Sequence, residues 1–229
     1  MKRCGGDLLE NPRGGHAKMN VKRPLSPAIW ISFLCAIGFG LMAFLFHSNK
    51  ITAFDTAVTS FIQSLNTPLL TSIMKFFTFI GAGVPIAVIA VLIMILLFVV
   101  FKHRRELVLF AAVLIGSALL NLLLKTVFHR ARPKLNRLIE ITGFSFPSGH
   151  AMAAVTLYGI LTYLLWKHIS NKVGRSLLLI FSAFMMIMIG LSRIYLGVHY
   201  PSDVIAGFLA SGAWLAFSIW FYGRKRAKG

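Results

Sequence analysis

Cysteine is nearly missing from this chain: Cys4 and Cys35 are the two present. One lies in a polar N-terminal stretch and the other inside an apolar run, so no disulfide framework is expected. No run of Cys and His has zinc-site spacing. Charge is scarce too. Only 13% of residues are charged while 57% are hydrophobic, and mean hydropathy is +0.78. That excludes an ordinary soluble domain of this size and points to a multi-span helical membrane protein. Acids are scarcest: six Asp and Glu stand against 24 Lys and Arg, for a net charge of +18. In a soluble protein such a balance suggests nucleic acid. Here the basic residues gather between apolar stretches, where they set topology instead, and no nucleic-acid partner is expected.

Residues 1–18 lack periodicity and lack the apolar core of a signal peptide. They are polar and Gly-rich, whereas MNVKRPLS from Met19 reads as a natural start. The expectation is a disordered, appended leader over 1–18 and a membrane domain over 19–229; a native disordered tail is the alternative. No internal repeat is visible.

Six spans can be drawn, at about 27–46, 85–101, 107–124, 151–166, 176–195 and 202–222. Residues 51–80 are different. Phe54, Val58, Phe61, Ile62 and Leu65 keep helical spacing with Asp55, Thr59 and Gln63 opposite, and Pro68 then interrupts. One or two interfacial helices are expected there. The competing reading is a seventh span at 65–84, against which stand Lys75 and the Gly81/Gly83/Pro85 cluster. The fold class is therefore all-α: a polytopic bundle of six transmembrane helices plus one or two interfacial ones.

Charge orients the bundle. With the N-terminus inside, the inner segments hold thirteen cations: Lys18, Lys22, Arg23, Lys102, Arg104, Arg105, Lys167, Lys172, Arg175, Arg224, Lys225, Arg226 and Lys228. The outer segments hold eight: Lys50, Lys75, Lys125, Arg130, Arg132, Lys134, Arg137 and Arg193. All but Lys50 and Lys75 fall in or beside polar motifs, so the remaining bias is strongly positive-inside. The expected protein is multi-pass in the cell membrane with both termini cytoplasmic.

Three polar islands interrupt the apolar chain, where ionisable groups are costly and usually functional. The first is Lys125-TVFHRA-Arg132-Pro133, the second Pro147-Ser148-Gly149-His150, the third Ser192-Arg193-IYLGV-His199-YPS-Asp203. On the charge-based topology all three lie outside. His199 and Asp203, four apart at a helix start, share one face. A carboxylate there can fix the imidazole tautomer and leave the other nitrogen free as a nucleophile. The same pair also serves as a purely structural polar contact. Ser148 and Gly149 open a helix whose exposed N–H groups suit an anion, and His150 stands where it can protonate a leaving oxygen. An ordinary Pro-Ser-Gly helix start is the alternative. Lys125, Arg132 and Arg193 can clamp phosphate oxygens, or anchor span ends as snorkelling cations. His150, His199 and Asp203 match a catalytic zinc site in number, but the surrounding cations favour an anion, so no metal is expected. His129, Arg130, Lys134 and Arg137 read as headgroup contacts or as solvated loop residues. Glu140 is the sole acid of that loop.

Together these motifs resemble the signature of the type 2 phosphatidic acid phosphatase family, with no position missing across about 79 residues. Span pattern and short loops are similar to its bacterial membrane members, the phosphatidylglycerophosphate and undecaprenyl-diphosphate phosphatases. The resemblance implies an extracytoplasmic site, and a metal- and cofactor-free phosphatase acting on phosphorylated lipids. It implies His199 as a phosphohistidine-forming nucleophile, Asp203 as its orienter and His150 as acid and then base. Lys125, Arg132, Ser148, Gly149 and Arg193 would hold the phosphate. No obligate protein partner is implied. A lipid phosphotransferase and a non-enzymatic lipid-binding or transport protein remain the alternatives.

Overall fold

The computed structural model describes residues 26–101, 104–133 and 137–226. The leader reading for 1–18, and Lys134, lie outside the described residues. Among those residues every regular element is a helix: α1 Pro27–His47, α2 Thr52–Ser64, α3 Pro68–Ile80, α4 Gly83–Phe101, α5 Arg104–Phe128, α6 Gly149–Trp166, α7 Lys172–Tyr195 and α8 Pro201–Arg226. The helix starts have local causes. Pro27 and Pro68 stand in first turns, where a missing N–H costs nothing. Thr67 Oγ1 accepts from Leu70 N at 3.3 Å and Asn171 Oδ1 from Gly174 N at 2.5 Å, so side chains cap α3 and α7.

Each of the six spans drawn from the sequence corresponds to a helix. α1, α5, α6, α7 and α8 are individually long and apolar enough to cross a bilayer. α4 joins α3 at a bend of 56°, and the two pass that test together. The stretch 51–80 is two helices, α2 and α3, parted at Pro68 as its position suggests.

α6 is the central helix, packed against α5, α7 and α8, while α1 lies along α8. Phe110 and Val113 of α5, Leu157, Ile160 and Leu164 of α6, and Ile189 of α7 fill the core without exposure. The outer faces carry Trp30, Phe33, Leu34, Leu92, Leu119 and Phe181, all exposed. Against lipid tails this carries no hydrophobic penalty, so helix association rests on close packing and interhelical hydrogen bonds. Ser32 Oγ of α1 donates to Ala213 O of α8 at 2.8 Å. Trp214 Nε1 of α8 donates to Val113 O at 3.0 Å, and only a glycine at 116 leaves room for its ring against α5.

α2 overturns a simple amphipathic reading. Its acid Asp55 is the buried residue, and Phe61 is 67% exposed. The polar edge turns into the protein because a cation and a helix end await it there, and the aromatic edge turns outward.

Candidate active site

The three islands meet at one end of the bundle, where α5 and α7 finish and α6 and α8 begin. Phe146 holds the connecting loop to that end. It is fully buried, with its ring 4.9 Å from Phe128 and 5.4 Å from Phe46, centroid to centroid. Ser145 N donates to Arg130 O at 2.8 Å and Leu138 N to Leu196 O at 3.1 Å, which ties the loop to its flanks. The basic start of α5 and the end of α6 lie at the opposite end, where Lys167 pairs with the buried Glu106.

Asp203 occupies the third position of α8, and its Oδ2 accepts Tyr200 N–H at 2.9 Å. This reciprocates at the helix start as a capping box does, with Pro201 in the first position. The same oxygen lies 3.5 Å from His199 Nδ1 and accepts a short hydrogen bond from Ser145 Oγ. Ser145 Oγ is 3.3 Å from Nδ1. His199 Nε2 lies 3.1 Å from Arg132 Nη1. A guanidinium only donates, so Nε2 carries the lone pair and Nδ1 the proton, facing the carboxylate. Burial pushes the His199 imidazole down to about 4, with the hydrogen bond to Asp203 opposing. The ring is therefore neutral at neutral pH. Structural and chemical readings of the His199/Asp203 pair thus coexist in one carboxylate.

Arg132 is held on two sides besides, by Nε to Gly143 O at 3.0 Å and Nη1 to Val198 O at 2.9 Å. Arg193 is 1% exposed in the last turn of α7. Its Nη1 donates to Thr78 Oγ1 of α3, and its Nε has no partner. Lys125 is half-buried at the end of α5 and feels the charges of Arg132 and Arg193. Ser148 caps α6 by position, yet its buried hydroxyl has no partner. Ser148 N donates to Asp203 O at 3.0 Å. That contact needs Gly207, because a Cβ there would stand 2.8 Å from Ser148 O. His150 feels the charges of Arg193, Lys125 and Arg132. It also borders Gly81, where a Cβ would come within 3.3 Å of its ring. All eight residues singled out in the sequence therefore lie around one point.

Other residues at this point escaped the sequence reading. Arg130, read there as a headgroup contact or a solvated loop residue, is neither. Its side chain is 9% exposed and donates from Nη1 to Asp203 Oδ1 at 2.6 Å and from Nη2 to Asp55 Oδ2 at 2.7 Å. Ser145, Ser202, Thr78 and Asp55 are likewise in the network. The signal for Arg130 and Asp55 was the rarity of the acid: one carboxylate in an apolar helix needs a cation. Arg137 folds back onto Pro133 O and Arg132 O, and Glu140 is exposed.

A cavity of about 530 Å³ opens between α4, α5 and α6. Its wall is mostly apolar, with Ile86, Ala90, Met94, Leu114 and Met152, and it ends at Asn121, Gly149 and His150.

A family model described as the PAP2 superfamily matches residues 106–227. Phosphatidylglycerophosphatase B of Bacillus subtilis (strain 168) is 32% identical over 173 residues, covering 74% of this chain and 84% of that one. An undecaprenyl-diphosphatase of Sulfolobus acidocaldarius is 39% identical over 80 residues, covering 33% of this chain and 32% of that one. Among solved structures, a transmembrane PAP2-type phosphatidylglycerolphosphate phosphatase from Bacillus subtilis superposes with a TM-score of 0.79 at 29% identity, covering 86% of this chain and 97% of that one.

Proposed function

Because the chain belongs to the PAP2 superfamily and is a lipid phosphatase of the membrane, we propose that it hydrolyses phosphatidylglycerophosphate, undecaprenyl diphosphate or both, through a phosphohistidine on His199. One observation carries this reading. Donors of Ser148 and Arg193 are buried without partners, beside a neutral histidine whose second nitrogen is already oriented. Buried donors left open are costly unless a ligand fills them, and a phosphoryl group supplies the acceptors.

The steps follow from the geometry. Phosphate oxygens take the guanidiniums of Arg132 and Arg193, the ammonium of Lys125, the Ser148 hydroxyl and the first N–H groups of α6 at Gly149. Once Arg132 turns to the phosphate, the Nε2 lone pair is released. Nε2 attacks phosphorus, the bond from phosphorus to the lipid oxygen breaks, and His150, entering the step as the imidazolium, gives that oxygen its proton and becomes neutral. The positive charge gained by His199 is stabilised by Asp203 through Nδ1–H. In the second half, His150 takes a proton from water, the hydroxide attacks phosphorus, and the P–N bond breaks to return neutral His199 and free phosphate. The cations spread the charge that develops on the transferring group. The apolar cavity ending at His150 suits the lipid chain. On the positive-inside distribution the site faces the extracytoplasmic side, with both termini in the cytoplasm.

The test is phosphate release by purified protein in EDTA across phosphatidylglycerophosphate, undecaprenyl diphosphate and phosphatidic acid, with the phosphoryl-enzyme trapped by alkaline quench. We expect turnover in chelator, an acid-labile adduct, and loss of both in His199→Ala. Turnover without an adduct, or an active His199→Ala protein, overturns the mechanism. Transfer to an added alcohol in place of phosphate release would mark a phosphotransferase.

A further inference from the structure

Arg130 is the cation of this site whose hydrogen bonds go to carboxylates. Nη1 gives hydrogen bonds to Asp203 Oδ1 at 2.6 Å and Ser202 Oγ at 2.7 Å, and Nη2 to Asp55 Oδ2 at 2.7 Å. The guanidinium also lies 4.2 Å from the Tyr200 ring centroid and 4.6 Å from that of Phe46. Flat contacts of this kind fix its plane. Arg132 and Arg193 stand differently: they bond two backbone carbonyls, His199 and Thr78, so no carboxylate matches their charge among the described residues. The three guanidiniums thus divide into two that can meet phosphate and one committed to two carboxylates.

Asp55 is equally committed. It is 1% exposed, and its Oδ1 accepts Ser202 N–H at 2.9 Å. Its Oδ2 accepts Ser202 Oγ–H at 2.6 Å as well as Arg130. A carboxylate of α2 therefore satisfies an N–H in the first turn of α8, where helix N–H groups lack partners and negative charge is favoured. That turn carries Asp203. From Asp55 the chain of contacts runs to Arg130, to Asp203, and to His199 Nδ1, each partner almost without solvent exposure.

We infer that Arg130 and Asp55 are positioning residues for the reaction: a brace that keeps Asp203 ionised and aimed, and through it His199, so that α2 belongs to the catalytic apparatus. The inference rests on the reading of His199 and Asp203 as the reacting pair. Asp203 has two oxygens with distinct duties. Oδ2 faces His199, Ser145 and Tyr200 N, and Oδ1 faces Arg130. Removing the Arg130 hydrogen bond leaves Oδ1 unheld, so that the carboxylate is fixed from the Oδ2 side alone. The cost falls on attack, not on phosphate binding.

The experiment compares Arg130→Gln, Asp55→Asn and the double variant Asp55→Asn/Arg130→Gln, purified in detergent. Each is assayed for kcat and KM on nitrophenyl phosphate and on lipid phosphate, for competitive inhibition by inorganic phosphate, and for thermal unfolding. We expect kcat to fall about 100-fold, the scale of a small misplacement, with phosphate affinity held within about threefold because the ground-state contacts are kept. The double variant should be no worse than the worse single one, since the brace acts as one unit. Phosphate affinity falling in step with kcat would make Arg130 a phosphate ligand and overturn the inference. Unchanged kcat overturns it, as does failure of all three to fold, which would make the brace purely structural. His199→Ala run in parallel separates the two levels: if it stays active the parent reading fails. If it is dead while Asp55→Asn is unaffected, this inference alone fails.

Discussion

Arg132 Nη1 lies 3.1 Å from His199 Nε2, so the nitrogen proposed to attack phosphorus is hydrogen-bonded, before substrate arrives, by a group suited to bind phosphate. The two duties of Arg132 exclude each other. An incoming phosphate, charged and strongly accepting, competes well for the guanidinium. Substrate binding and nucleophile release then become one event.

Arg132→Gln should accordingly lose on both counts. Vanadate inhibition should weaken, and kcat/KM should fall by ~10²–10³-fold, the usual effect of removing one donor to the developing charge. Steady-state kinetics with vanadate titration checks this. An unchanged vanadate inhibition constant would place Arg132 outside the phosphate site.

His199 should be neutral well below the usual histidine range, because burial lowers it from 6.5 to about 4. The sign is set by which state takes the proton. Between those pH values the unfolded chain binds a proton that the folded protein refuses, so the histidine's contribution to stability is lost as pH falls from 6.5 towards 4. Imidazole NMR of the detergent-solubilised protein should find His199 unprotonated at pH 6, with Nδ1 bearing the hydrogen. A ring that titrates near pH 6.5 would contradict the buried environment described above.

His150→Ala should hurt poor leaving groups more than good ones. A lipid alkoxide needs the proton and a nitrophenolate hardly does, so the contrast should approach the ~10²–10⁴-fold typical of general acid catalysis. Single-turnover bursts isolate the first step from dephosphorylation. Equal slowing of both bursts would make His150 a phosphate-binding residue instead.

Reporter fusions test the orientation. A reporter after Gly229 should give a cytoplasmic signal, and one inserted between residues 134 and 144 an external one. The reverse pattern would remove the charge-based topology.

The helices that cross the bilayer were legible because each is a long apolar run bounded by polar residues or breakers. The eight residues of the candidate site were legible because polar islands in such runs stand out. Asp55 was not. Its spacing in α2 placed it opposite the apolar stripe, which fits a solvent-facing edge as well as a buried one. Choosing between them required knowing that Arg130 and Ser202 approach from elements 75 and 147 residues away in sequence. Arg130 was hidden for a different reason. In a loop rich in cations, nothing local distinguishes the one that meets carboxylates from the others. The bend between α3 and α4 was half visible, as a glycine and proline cluster, but its angle depends on packing against α7.

Gly207 leaves the space in which α8 meets the Ser148 turn, and Ser148 N–H reaches Asp203 O across it. The proposed attacking atom and anion seat are thereby clamped on two helix starts that are fastened to each other, like the jaws of a fixed-gap gauge. On the proposed mechanism the phosphate would meet these two helix starts, while the tail would take the apolar cavity that runs from His150 along α4, α5 and α6. Chemistry and selectivity would then fall to different parts of the bundle. Changes along the cavity wall can retune which lipid is admitted without moving the gap.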